Sequence, residues 1–173
     1  MHGATCLDKN DQVIRPAILW NDGRSGDNCE DMMAEMPSIT DIAGNLAMPG
    51  FTAPKIHWMR ANEPESFARI DKVLLPKDYV RFLISGVYAS DLSDSAGTLW
   101  LDVARRDWSD EALALTGLNR SHMPEVFEGS EATAKLKPEI ADQWGMPQVP
   151  IAAGGGDNAA GAVGSGVVNP GDG

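Results

Sequence analysis

An α/β fold with an interrupted sheet is what the sequence predicts, on three observations. β-like apolar runs lie near both ends, at residues 4–7 and 13–20 and again at 149–153. The long stretch between them carries mainly helical punctuation. The last run opens through Gly154, Gly155 and Gly156 into a helix of small residues. The chain therefore divides into a hairpin and helix (1–36), a mainly helical insertion (37–147), and a strand, glycine turn and helix (148–173).

Residues 4–7 and 13–20 flank the polar turn Asp8-Lys9-Asn10-Asp11 and read as a hairpin whose first strand has further partners upstream. The expected consequence is an edge at residues 1–7 with unpaired backbone groups. These would be covered by segments outside this sequence or by self-association, as in a homodimer. Asp22-Gly23 breaks the second run, and residues 27–36 form a helix with Met32, Met33 and Met36 as its apolar positions, ended by Pro37. Residues 41–54, rich in Gly and Pro, form an ordered loop. A helix starting at Lys55 carries Ile56 and Met59, and Pro64 opens a second one through Ile70. Residues 72–75 form a short strand or turn stopped by Pro76. Residues 78–85 form a helix with Tyr79, Phe82 and Leu83 inward and Gly86 at its end. Asp91, Asp94 and Asp102 lie in a hydroxyl-rich stretch as caps or as ligands. Ser109 caps a helix at 110–115 ended by Gly117, residues 123–124 and 128–130 are loop, and residues 138–144 make a last helix before Gly145.

The glycine turn carries the candidate chemistry. A buried strand at 149–153 is released by the three glycines, and Asp157 and Asn158 follow as N-cap candidates for the small-residue helix. A carboxylate beside bare glycine backbone also faces a ligand unobstructed, so Asp157 reads as a cap or as a catalytic base. Each glycine costs roughly 0.5–1 kcal/mol relative to Ala in a regular element, an expense that capping does not require. A dinucleotide fingerprint is rejected: Gly154 and Gly156 are followed by Ala159 at the third place, and no acid follows about 20 residues on.

The 173 residues, 43% of them hydrophobic, suffice for one domain with a core. A net charge of −11 argues against nucleic acid or an anionic membrane as partner. Cys6 and Cys29 show no C-x-x-C spacing, so no disulfide framework or zinc site is suggested and a cytoplasmic setting fits. There is no apolar run of about 18 residues and no cleavable signal pattern.

The blocks MHGA at Met1, PAILWNDGR at 16–24, GNLAMPGFTAPK at 44–55, LLPKDY at 74–79, SDSAGTLWLDVARRDWS at 93–109, EGSE at Glu128 and GGGDNAAGAVG from Gly154 follow one another along nearly the whole chain. In content and order they resemble the FGGY family of carbohydrate kinases. That resemblance implies a partial actin/hexokinase-like (ribonuclease-H-like) domain with a mainly helical insertion, part of the N-terminal domain of a two-domain enzyme. The implied activity is transfer of the ATP γ-phosphoryl group to the 5-hydroxyl of D-xylulose with Mg2+. Asp157 matches the family's general base, and Met1, His2 and Asn158 match residues lining the sugar. Trp20 matches an aromatic near the polyol, with Asp22 and Arg24 in the same block. These types suit a sugar, which needs donors and acceptors along its hydroxyls and an aromatic face for its C–H groups.

The resemblance also implies that the phosphate loop and the C-terminal domain, which hold ATP and Mg2+, lie outside these residues. Two alternatives stand beside it: a non-catalytic sugar-binding or interaction module, and a kinase of the same family acting on another polyol or ketose. The retained Asp157 favours a kinase. The isolated 173-residue chain is expected to show no nucleotide affinity at millimolar ATP, because phosphates are held by backbone N–H cradles and metal ligands. Saturable ATP binding in calorimetry would overturn this expectation.

Overall fold

The computed structural model describes residues 2–169 and 171–172. β1 (Thr5–Leu7) is buried along its length, and the turn after it closes on Asp8, whose Oδ1 accepts from the N–H groups of Asn10 and Gln12. The run that follows does not pair as a regular hairpin. It meets β1 at two isolated bridges, Leu7 with Val13 and Ala4 with Ile18, and Pro16 between them has no N–H to give a ladder. α1 (Gly26–Glu35) buries Cys29 and Met32. The stretch expected as loop is shorter than 41–54. α2 (Ile39–Ala43) enters it from one side, ended by Gly44 at φ 65°, and α3 (Thr52–Asn62) enters from the other. Pro54 is tolerated in the first turn of α3, where a helix needs no N–H partner. α4 (Pro64–Phe67) ends before Ile70.

β2 (Lys72–Leu74) runs antiparallel to β1, with Thr5 opposite Leu74. The unpaired edge expected at residues 1–7 is therefore absent from Thr5–Leu7, which β2 flanks on one side and the two bridges flank on the other. α5 (Pro76–Ser85) starts on proline and ends at Gly86, φ 77°. Its Leu83, expected inward, is 48% exposed, while Asp78 and Arg81 are buried with Phe82. The inward face of α5 is thus charged, for a reason that the site makes plain.

β3 (Ala89–Asp91) leads into α6 (Leu92–Ser95), which Asp91 caps by accepting the Asp94 N–H at 3.0 Å. β4 (Leu101–Asp102) and β5 (Asp107–Trp108) form a short antiparallel ladder, and Asp102 caps the turn between them through the N–H groups of Ala104 and Arg105. α7 (Asp110–Leu115) carries the expected Ser109 cap. Two strands fall where no strand pattern is legible: β6 (Glu125–Phe127), parallel to β3, and β7 (Ala132–Lys135). α8 (Pro138–Trp144) matches its expected bounds. β8 (Pro150–Ala152) pairs antiparallel with β7 and is largely exposed, not buried, because it belongs to a two-stranded ladder. α9 (Asp157–Gly164) closes the described elements.

The core lies among the helices, where Met32, Ile39, Ile56, Met59, Trp100 and Leu113 are almost wholly removed from solvent. A smaller cluster of Leu7, Leu74 and Phe82 packs beside it, with Tyr88 stacked on Phe82 at 4.7 Å between ring centroids. Trp100 holds the centre of the main cluster, and its Nε1–H donates to Thr116 Oγ1 at 3.2 Å. Trp100→Ala should lower unfolding free energy by about 3–5 kcal/mol. Urea denaturation checks this, and a loss below about 1 kcal/mol would contradict the packing described.

Candidate active site

The glycine turn is held from two sides. Gly154 takes φ 95°, its N–H donates to the Gly129 carbonyl at 3.0 Å, and the Ala153 N–H donates to that of Glu131 at 2.9 Å. A Cβ on Gly129 would lie 2.5 Å from the Gly154 oxygen, so this approach requires glycine. On the other side, the Gly156 N–H donates to Ser93 Oγ at 3.0 Å. A Cβ on Gly156 would lie 3.2 Å from Asp94 Oδ1 and 3.3 Å from Asp94 Cα. Gly156, with extended backbone, is the N-cap of α9. Asp157 and Asn158 are therefore not caps, as the sequence suggests, but the first helical residues, both exposed. The close approach to α6 sets this register, because the capping position is the one pressed against Asp94.

Asp94 belongs to a buried charged cluster. Lys77 Nζ lies 2.7 Å from Asp78 Oδ1, 2.7 Å from Asp91 Oδ1 and 3.3 Å from Asp94 Oδ2. Arg81 pairs with Asp78 at 2.8 Å and donates to the carbonyls of Ala89 and Ala153, which ties β3 to the start of the glycine turn. Ser90 Oγ donates to Asp78 Oδ2 at 2.6 Å. His2 Nε2 reaches Asp94 Oδ1 at 2.9 Å. Burial pushes the carboxyls upward and prevails at Asp78 despite Lys77. At Asp91 burial is outweighed by hydrogen bonds from Lys77 and Ser93, so its pKa falls. At Asp94 burial is outweighed by the His2 hydrogen bond and the Lys77 charge, which bring it down to about 2.

The structure thus brings His2 to the base of the turn that carries Asp157, through Asp94 and Gly156. The backbone of Trp20 approaches the His2 side by another route. Its carbonyl lies 3.4 Å from where a Gly50 Cβ would be, Phe51 packs its ring 5.6 Å from that of His2, and Thr52 Oγ1 donates to the His2 carbonyl at 3.1 Å. Trp20 itself is 65% exposed. Met1 lies outside the described residues. Asp22 and Arg24 bond to each other through both carboxylate oxygens, at 2.9 and 2.7 Å, with the guanidinium 4.9 Å above Trp58. Arg24 accordingly draws Asp22 down to about 2.

Sequence reasoning missed Lys77, Ser93 and Gly97, and it left Asp94 among caps and ligands, whereas the cap of α6 is Asp91. The available signal was the hydroxyl-acid run Ser93-Asp94-Ser95 beside Gly97. A groove of about 720 Å³, lined by Ser93, Gly129, Gly155, Ala159, Ala160 and Val163, opens against the turn. The buried carboxylates do not suit Mg2+, since Lys77, Arg81 and His2 already engage them, and among the described residues no cluster of three His, Cys, Asp or Glu is placed to hold a metal.

Residues 1–164 match the N-terminal domain of the FGGY family of carbohydrate kinases. A xylulose kinase of Escherichia coli is 60% identical over 169 residues, 98% of this chain and 35% of that protein. The crystal structure of a xyloylose kinase from Brucella ovis superposes with a TM-score of 0.95 at 54% identity, covering 99% of this chain and 35% of that one. That of a xylulose kinase from Rhodospirillum rubrum superposes at 0.92 with 26% identity, covering 99% and 36%. The chain spans about a third of the length of these relatives.

The cluster sets a pH dependence. Asp94 falls from 3.8 to about 2 on folding, so its ionised form stabilises the fold fully above pH 3.8, and that contribution is lost as pH falls through 2. Asp94→Asn should therefore be less stable than the parent at pH 7, with the gap closing toward pH 2. Denaturation curves at both pH values test this, and a gap that does not change with pH would contradict it.

Proposed function

This chain belongs to the FGGY family of carbohydrate kinases, and we propose that it forms the sugar-side part of an enzyme that phosphorylates D-xylulose on its 5-hydroxyl. The observation that carries this reading is the placement of Asp157 at the N-terminal end of α9, on a glycine turn packed against the residue that holds His2. A helix N-terminus favours negative charge, so the Asp157 carboxylate is kept as a proton acceptor. His2, Asn158 and Trp20 supply a ring nitrogen, an amide and an aromatic face for the sugar. Met1 is assigned to the same lining by its place next to His2 in the sequence.

In the reaction the hydroxyl oxygen forms a bond to the γ-phosphorus of ATP as the bond to the β–γ bridging oxygen breaks, and Asp157 takes the hydroxyl proton. Phosphoryl transfer asks for little covalent chemistry from the protein, so positioning the hydroxyl and accepting its proton are the contributions this segment can make. The ligands of ATP and Mg2+ are assigned to other parts of a full-length kinase, because the described acids suited by burial to a cation already hold Lys77, Arg81 and His2. The choice of D-xylulose rests on the 60% identical relative. A cytoplasmic setting is part of the proposal and agrees with the buried, unbridged Cys6 and Cys29. Among the described residues no helix is long and apolar enough to cross a membrane.

The test uses a full-length chain in which residues 1–173 replace the matching third of the Escherichia coli relative. Asp157→Asn should lower turnover by about 100-fold to 10,000-fold while KM for xylulose moves far less. Near-normal turnover would remove Asp157 as the base.

A further inference from the structure

We propose that Asp94 is a positioning residue: it fixes His2 as the tautomer protonated on Nε2 and couples that ring to the glycine turn. The inference rests on the reading of His2 as a sugar-lining residue, and it concerns a residue that the reading itself does not use.

The geometry is that of a built seat. His2 Nε2 lies 2.9 Å from Asp94 Oδ1, and the Asp94 side chain is fully buried. Gly97 closes the seat from below: a Cβ there would fall 2.1 Å from Nε2 and 2.2 Å from Cε1, so any other residue would expel the ring. The His2 backbone is tied down through its carbonyl, which accepts from Thr52 Oγ1, and Phe51 covers the ring at 5.6 Å.

The second oxygen of Asp94 faces Lys77 Nζ at 3.3 Å. A carboxylate between an ammonium and an imidazole has only acceptor sites to offer. The nitrogen it meets must therefore carry the proton, and in the neutral ring Nδ1 is then left with a lone pair. That lone pair makes Nδ1 an acceptor, which suits a hydroxyl that donates. Asp94 also presses on Gly156, whose N–H is held by the neighbouring Ser93. The turn that begins α9 and the ring of His2 are in this way referenced to one carboxylate.

The experiment is nitrogen NMR of histidine in the full-length chain described above, at a pH where the ring is neutral, with the His2 signal identified by its loss in His2→Gln. The expected result is protonation on Nε2, and a neutral ring protonated on Nδ1 would overturn the proposal without any change being made to Asp94. Steady-state kinetics add a second arm. Asp94→Asn should raise KM for xylulose by about tenfold, with a smaller change in kcat, and should add little once His2→Gln is present. An equal effect of Asp94→Asn in both backgrounds would mean a merely structural role and would also overturn it. If the unaltered chain does not phosphorylate xylulose, the functional reading fails, while the tautomer measurement still decides this inference.

Discussion

The meeting of three buried carboxylates at one ammonium is the constraint on which this structure turns. Asp78 lies on α5, Asp91 ends β3 and Asp94 lies on α6, and Lys77 lies within 3.3 Å of all three. Desolvating an unpaired carboxylate costs several kcal/mol, so none of these acids can be buried unless α5, β3 and α6 meet in this arrangement. Arg81 extends the cluster to the carbonyls of Ala89 and Ala153, and His2 extends it to the start of the described chain. A buried ion cluster of this kind adds little net stability compared with an apolar core of the same volume. Its value here lies in geometry, since it permits one relative placement of the elements that carry His2 and Asp157.

Close approach, more than loop flexibility, explains the glycines around the site. Gly97 makes room for the His2 ring, Gly156 for Asp94, and Gly129 for the Gly154 carbonyl. Of the three consecutive glycines, Gly154 alone is in the left-handed region; at Gly156 the requirement is space. This alters the meaning of the glycine run. It lets a strand end and a helix start pass within van der Waals distance of a buried acid, which sets where the helix begins and hence that Asp157 is its first residue.

Much of the helical architecture was legible because its signals are local. Pro76 and Gly86 bracket α5, Ser109 caps α7, and Pro138 and Gly145 bracket α8, each through backbone chemistry confined to one turn. The strands were less legible. β1 pairs with β2 across four intervening helices, and β3 pairs in parallel with β6. Runs of three residues such as Glu125–Phe127 carry no alternation long enough to be distinguished from loop. The inward Leu83 failed because periodicity ranks side chains by hydrophobicity, whereas α5 turns its charges inward to meet acids contributed by another part of the chain.

By itself the sequence determined the chemical inventory: an acid after three glycines, a histidine near the start, a tryptophan in an apolar run, and helix bounds set by proline, serine and glycine. Ordered blocks of residues also determined the family, because that information is carried by identity and order, not by contact. Tertiary structure alone decided which of the acids do what. Asp91 and Asp102 serve as caps, Asp78 is a buried partner of Arg81, and Asp94 joins His2 to Gly156. Those roles depend on desolvation and on distances between segments remote in the chain, and neither quantity is a property of a residue or its neighbours in sequence.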